Sequence, residues 1–285
     1  MEKIHIVGSG TPTPTPSRFG TCYVFQIDDE FLMFDCGPAA THKLVKLGIF
    51  PTQVEYLFFT HHHFDHNSDY PCFLLCRWDQ SIGKESVLKV RGPSPTKWIT
   101  ERLFGHEGAF SHDWKARVEH PGSQQVFLKR GGSLPRPAPS VDVDDVKPGE
   151  ILKTDRWTVS ATRAKHMDPF LETLAYRVDT PDSSVVFTSD SGLCESVVEI
   201  SKGTQTIVVN CWDHQNAMDT AVSNSIAGTL EAGQFAQKAG AKTLILTHQG
   251  SNLCQPGSSE KAVADISKLF SGTIIFAEEL MTIEQ

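Results

Sequence analysis

The chain has 285 residues, 39% of them hydrophobic and 21% charged, with a formal net charge of −8. That length is ample for a sizeable core, and the acidic balance argues against a nucleic-acid surface, which needs basic residues to displace counterions from phosphates. The opening MEKIHIVGSG is no signal peptide, and no run approaches the roughly 20 apolar residues of a membrane helix. The scattered cysteines read as reduced thiols of a cytoplasmic protein.

In chain order, KIHIVG reads as a strand, and CYVFQIDDEFLMFDCG as two strands around an Asp-Asp-Glu turn. The glycines of GSGTP invite a phosphate-loop reading, but Pro12, Pro14 and Pro16 forbid the helix such a loop must open. ATHKLVKLGI spaces Leu44, Val45 and Leu47 for a helix that ends near Gly48 and Pro51. VEYLFFT is a buried strand running into a cluster of histidines, HNSDYPCFLLCRW begins a helix, SVLKVRGP is a strand and PTKWITERLF a helix. From about 111 to 149 the alternation fails in a Pro- and Gly-rich stretch with a few bases, which we read as an irregular but ordered insertion near a functional face. The pattern resumes with WTVSATRAKH (strand), TLAYRVDTPDSSVVFTSD (hairpin), CESVVEIS (helix) and TIVVNCW (strand). It closes with TLEAGQFAQKAG (helix), TLILTH (strand), SEKAVADISKLF (helix) and TIIFAEE (strand). Such alternation, hairpins included, predicts a layered α/β architecture with mixed sheets in a single domain over 1–285.

The chemistry concentrates in THHHFDHNSDY, which carries H-x-H-x-D-H at His61, His63, Asp65 and His66. In an extended loop alternate side chains share a side, so His61 and His63 can grip one ion while His62 points elsewhere. Asp65 and His66, where the loop turns into a helix, can reach a second. His166, Asp190 and His248 each end a β-branched or apolar strand, as His61 does. If these strand ends share one edge of the fold, the residues converge. A closed structural site takes four ligands, so these candidates exceed what one such site needs.

H-x-H-x-D-H followed by a distant His, Asp and His resembles the metallo-β-lactamase superfamily, whose fold is an αββα sandwich of two mixed β-sheets flanked by helices. VGSGTPTPTPSRFGTCYVF, LMFDCGPAATHKLVKLGI, VRGPSPT, PGEIL and LEAGQFAQKAGAKTLILTH are similar to its ribonuclease Z and arylsulfatase-like branch. The resemblance implies that His61, His63 and His166 hold one metal, that Asp65, His66 and His248 hold the other, and that Asp190 bridges them. It also implies a homodimer. Zinc suits such ligands, and manganese, iron and nickel can occupy similar sites. Two ions about 3.5–4 Å apart can share a hydroxide nucleophile at neutral pH, with Asp65 accepting or relaying a proton.

The chain departs from ribonuclease Z relatives where they carry a His-Glu pair and a further His; VVNCWDHQ and AVSNSIAGTLEAG offer Asn210-Cys211-Trp212 and Asn224 instead. No long Gly-rich, basic arm is evident either. These losses and the acidic charge favour a small-molecule substrate over nucleic acid: a dinuclear hydrolase of an ester, lactone, amide or similar bond. Trp212 and Phe170 are candidate pocket walls, and His214 or Asp213 a candidate proton donor near the leaving group. His112 and Trp114 are candidate caps from the insertion. The alternative is a phosphodiesterase or ribonuclease Z-like hydrolase of nucleotides or RNA. A mononuclear iron oxygenase on the same fold is disfavoured by the presence of Asp65, His66 and His248 together.

Overall fold

A computed structural model of the chain describes residues 2–83 and 86–285. Its strands in chain order are β1 (Glu2–Ser9), β2 (Thr21–Ile27), β3 (Glu30–Phe34), β4 (Val54–Phe58), β5 (Leu88–Gly92), β6 (Val141–Asp145) and β7 (Gly149–Lys153). The second half supplies β8 (Thr158–Arg163), β9 (Leu174–Asp179), β10 (Ser184–Phe187), β11 (Thr206–Asn210), β12 (Thr243–Thr247), β13 (Thr273–Phe276) and β14 (Met281–Glu284). They form two seven-stranded sheets, ordered β14-β1-β2-β3-β4-β5-β6 and β13-β12-β11-β10-β9-β8-β7. Each sheet is antiparallel through one half and parallel through the other: β3 to β6 run parallel, as do β10 to β13.

Strand alternation decides the layering. Tyr23 and Phe25 on β2 point between the sheets while Cys22 and Val24 point outward, and on β3 Leu32 and Phe34 face in while Met33 faces out. The inner layer is dominated by aromatic rings, with Phe34 stacked on Phe187 at 4.2 Å and on Phe58 at 5.2 Å. The helices are α1 (Ala40–Lys46), α2 (Phe64–Asn67), α3 (Tyr70–Gln80), α4 (Thr96–Phe104), α5 (Ser111–Glu119), α6 (Pro121–Lys129), α7 (Glu195–Ser201), α8 (Thr220–Ser223), α9 (Thr229–Ala239) and α10 (Ser258–Ile266). Leu44, Phe73 and Phe104, on α1, α3 and α4, cover the outer face of the first sheet. Val197, Phe235 and Ile266, on α7, α9 and α10, cover the second. The layers are therefore αββα, the architecture the resemblance implies.

The stretch 111–149 is more regular than its composition suggests. It holds α5, α6 and the edge strand β6, which pairs in parallel with β5 from Leu88↔Val141 to Gly92↔Asp145. VDVDD escapes a simple reading because an edge strand leaves its acidic side chains in water. Three arginines of the insertion, Arg117, Arg130 and Arg136, donate to the Asp79 carboxylate of α3. The buried Arg136 guanidinium also lies 4.1 Å from the Trp78 ring and 4.8 Å from that of Phe127. Charge and stacking thus order a segment whose apolar content is too low to do so by burial. Trp114 is buried within it and donates to the Phe104 carbonyl, and among the described residues neither it nor His112 has a hydrogen bond or ring contact with the histidine cluster, so the expectation of a cap finds no support.

Candidate metal centre

β3 and β4 run parallel in the first sheet, as β10, β11 and β12 do in the second, and the residues that follow these strands meet at one edge of the sandwich. That edge is fastened by backbone contacts to the histidine loop. The amide of Cys36 donates to the His66 carbonyl at 2.7 Å and that of Leu174 to the Thr60 carbonyl at 2.9 Å. Gly37 is required here by space: a Cβ on it would lie 2.1 Å from the Asp65 carbonyl oxygen. Three non-glycine residues at this edge have left-handed backbone, Asp35 (φ 60), Ser189 (φ 63) and His248 (φ 55). Each such residue stores strain of order 1–3 kcal/mol, which persists where the surroundings over-determine the conformation and side-chain aim matters.

All seven predicted metal-competent residues converge here, in two groups. Ligand atoms of His61, His63, His166 and Asp190 lie within 4.8 Å of one another, as do those of Asp65, His66 and His248. In the first group His63 presents Nδ1, 3.0 Å from His61 Nε2 and 3.2 Å from His166 Nε2. In the second, His248 Nε2 stands 3.3 Å from Asp65 Oδ2, and His66 Nε2 3.6 Å from the same oxygen. Asp190 divides its carboxylate between them. Its Oδ2 lies 3.9 Å from His61 Nε2 and 3.7 Å from His166 Nε2, and its Oδ1 lies 3.6 Å from His66 Nε2 and 3.4 Å from His248 Nε2.

The donor set fits divalent metal. A tetrahedron with zinc–nitrogen bonds of about 2.0–2.1 Å has edges of about 3.3 Å, close to the spacings within the first group. In the second group, Asp65 Oδ1 and His66 Nε2 are buried without a hydrogen-bond partner, a costly arrangement that a cation at this point relieves. The far nitrogens are anchored as metal-ligating imidazoles are. His66 Nδ1 donates to Asp35 at 2.7 Å and His166 Nδ1 to the Ser225 carbonyl at 2.6 Å, while His61 Nδ1 meets the Thr60 hydroxyl at 3.0 Å.

The electrostatics favour positive charge between the carboxylates. Burial works against ionisation of Asp190, but the His248, His66 and His166 imidazoles outweigh it and hold the carboxyl well below its ordinary range. Asp65 is also lowered: burial opposes this, and His248 and His66 prevail. Burial likewise opposes charge on His66, yet Asp35 and Asp190 raise its pKa well above normal. His61 and His63 are lowered, chiefly by burial, which keeps them as neutral donors.

His62 is separate from this set. Its Nε2 bonds the Thr96 hydroxyl at 2.7 Å and its Nδ1 meets the Asn67 amide at 3.2 Å, and burial pushes its pKa down to about 4. His214 is buried elsewhere. Its ring makes no hydrogen bond or ring contact with the seven groups among the described residues, and its buried Nδ1 has no hydrogen-bond partner. Neighbouring Asp213 accepts from Asn252 and from the His214 amide. Trp212 packs on Gly250, where an added Cβ would be 2.6 Å from the Trp212 carbonyl oxygen; it flanks the loop after His248 without touching the cluster. Phe170 is 92% exposed.

Sequence reading missed Asp35 and treated Asn210 only as a departure. Asp35 accepts from the Thr60 amide, the Thr60 hydroxyl and His66. Asn210 donates to Asp190 Oδ1 at 2.7 Å and accepts from the Tyr23 hydroxyl at 3.0 Å. Asp35 ends the strand EFLMF as Asp190 ends its own, so the same strand-end signal was present. Two depressions of 640 Å³ and 350 Å³ lie away from this centre, one between α4 and β6, the other lined by Glu2, Arg156 and Ser183.

Residues 15–74 match the family model for the metallo-beta-lactamase superfamily, and residues 110–249 that for the beta-lactamase superfamily domain. The chain belongs to the metallo-β-lactamase superfamily. Like other members it is a metal-dependent hydrolase. Ribonuclease Z of Mycobacterium bovis (strain BCG / Pasteur 1173P2) is 25% identical over 293 residues, covering 100% of this chain and 98% of the relative. In the same fold is the metallo-beta-lactamase fold protein YhfI from Bacillus subtilis, with a TM-score of 0.75, 21% identity and coverage of 100% and 99%. Human tRNase Z, short form, gives a TM-score of 0.70 at 17% identity, covering 99% and 98%. These superfamily relatives overturn the expectation of a small-molecule substrate with nucleic acid disfavoured, because the sequence relatives that span the whole chain carry the name ribonuclease Z. Net charge is a sum over the whole surface, whereas a strand is bound by the local field at one edge.

Proposed function

We propose that the chain hydrolyses phosphodiester bonds in RNA at a two-metal centre, with zinc in both positions. His61, His63 and His166 would hold one ion, Asp65, His66 and His248 the other, and Asp190 both. The observation that carries the two-metal reading is the Asp190 carboxylate, whose two oxygens face different histidine groups. The RNA reading is supported by ribonuclease Z relatives aligned along the full chain.

When bound, the ions supply Lewis acidity toward a phosphoryl oxygen and lower the pKa of water. The residues do the rest. Asn210 donates to Asp190 and holds its rotation, and Asp35 accepts from His66 Nδ1, so that Nε2 is the nitrogen that would bind an ion on giving up its proton. Asp65 would take a proton from the attacking water on the carboxylate oxygen that does not hold the ion and pass it toward the departing alkoxide.

The test is a substrate panel with protein reconstituted in zinc. We expect cleavage of an RNA stem with a single-stranded 3′ extension and of bis-p-nitrophenyl phosphate. Hydrolysis of carboxylic esters or lactones with neither phosphodiester touched would overturn the proposal.

A further inference from the structure

Taking the RNA reading as its premise, we propose that Phe64, Met167 and Phe170 form an apolar rim on which unpaired bases beside the scissile phosphodiester stack. The argument starts from where the centre meets solvent. Of the seven clustered groups only His63 is not buried, so the opening is on its side. Phe64 follows His63 directly. Because Asp65 and His66 turn inward at the start of α2, Phe64 is turned out and is 55% exposed.

The second wall is the loop after His166, whose Nε2 is 3.2 Å from His63 Nδ1. This loop returns to the same place, since the amide of Leu174 bonds the Thr60 carbonyl. Between these anchors the amides of Phe170 and Leu171 both donate to the Met167 carbonyl, at 2.8 and 3.2 Å. A closed turn thus presents Met167 at 40% and Phe170 at 92% exposure. Single exposed apolar residues are common on any surface. Here two chain segments, both anchored at the metal edge, each carry an exposed phenylalanine within a few residues of a clustered histidine.

A nucleotide strand suits both parts of such a surface. Its phosphate needs the metal centre, and its bases need flat apolar partners; stacking on aromatic side chains tolerates any base and does not ask for a basic chain overall. The rim therefore selects single-stranded RNA flanking the cut and is indifferent to its sequence.

The experiment couples side chain to base. The cut site on an RNA stem with a 3′ extension is mapped with zinc-loaded wild type, and a second RNA is made abasic at the nucleotides on either side of the cut. We expect F170A and F64A to raise KM about tenfold or more on the intact RNA, with kcat within twofold and zinc content equal to wild type by mass spectrometry. F170W should restore KM and F170L should not. On the abasic RNA the F170A effect should shrink below twofold. An equal F170A effect on both RNAs, or an F170L variant indistinguishable from wild type, overturns the rim. If zinc-loaded wild type cuts no RNA, the RNA reading has failed, and the rim is judged by anisotropy of a fluorescein-labelled single-stranded RNA. Equal Kd for wild type and F170A would then overturn it as well.

Discussion

Asp35→Asn changes one charge and one hydrogen-bond polarity at a buried position while leaving shape and backbone alone, since Asn also tolerates the left-handed conformation (φ 60) found there. The carboxylate accepts from the Thr60 amide at 2.7 Å, the Thr60 hydroxyl at 2.8 Å and His66 Nδ1 at 2.7 Å. An amide cannot accept from all of them. With its oxygen on the Thr60 amide, its NH2 confronts the Nδ1–H of His66; flipped, it confronts the Thr60 amide. The first arrangement drives the His66 proton to Nε2, the nitrogen that faces Asp65 and Asp190. The second leaves a buried donor unpaired, at a cost of about 1–3 kcal/mol. Changes at such supporting positions lower metal affinity about 10–100-fold, or roughly 1.4–2.7 kcal/mol. Zinc affinity measured by competition with a chromophoric chelator should fall by that factor, and the metal-free melting temperature should drop by about 2–10 °C. Wild-type affinity within twofold, with unchanged stoichiometry, would refute the role assigned to Asp35.

The histidine loop predicts a sharp contrast between neighbours. His62→Ala should keep full zinc content and lose about 1 kcal/mol of stability with its Thr96 bond, whereas His61→Ala should bind markedly less zinc; equal metal in both, by mass spectrometry after dialysis, contradicts this. Asn210→Ala releases Asp190 Oδ1 and leaves the Tyr23 hydroxyl only its bond to Thr247, so zinc affinity should fall about tenfold, a loss of about 1.4 kcal/mol, read by the same chelator competition. Removing metal with EDTA should abolish hydrolysis reversibly. At free zinc 100-fold above Kd each of the two bound ions contributes about 2.7 kcal/mol, so calorimetry should show melting lowered by roughly 10–20 °C when both are removed; unchanged melting would mean the groups hold no metal.

Much of this centre was legible from local pattern, because a strand that ends abruptly at His or Asp places that residue at a sheet edge. His61, His166, Asp190 and His248 each carry that mark, and the i, i+2 spacing of His61 and His63 sets His62 aside. Asp35 carries it too, but its partners Thr60 and His66 come from the loop and helix that follow β4, and sequence does not reveal which strand lies beside β3. His214 misled for a related reason. After Asn210 the Cys211 amide bonds the Thr247 carbonyl and the Trp212 amide bonds that of Ala227, and Asp213 then accepts from the Thr229 amide at the start of α9 and from Asn252 rather than meeting the cluster. The insertion defeated composition because its order rests on three arginines meeting Asp79, 38 or more positions away in the chain.

Sequence by itself determined the layered architecture and the set of metal-competent residues, since both follow from short-range periodicity and chemistry. Only the tertiary structure decided which nitrogen each histidine turns inward, how Asp190 divides its two oxygens, and which side of the centre is open. Those are relations among residues brought together from both halves of the chain, and packing of the two sheets fixes them.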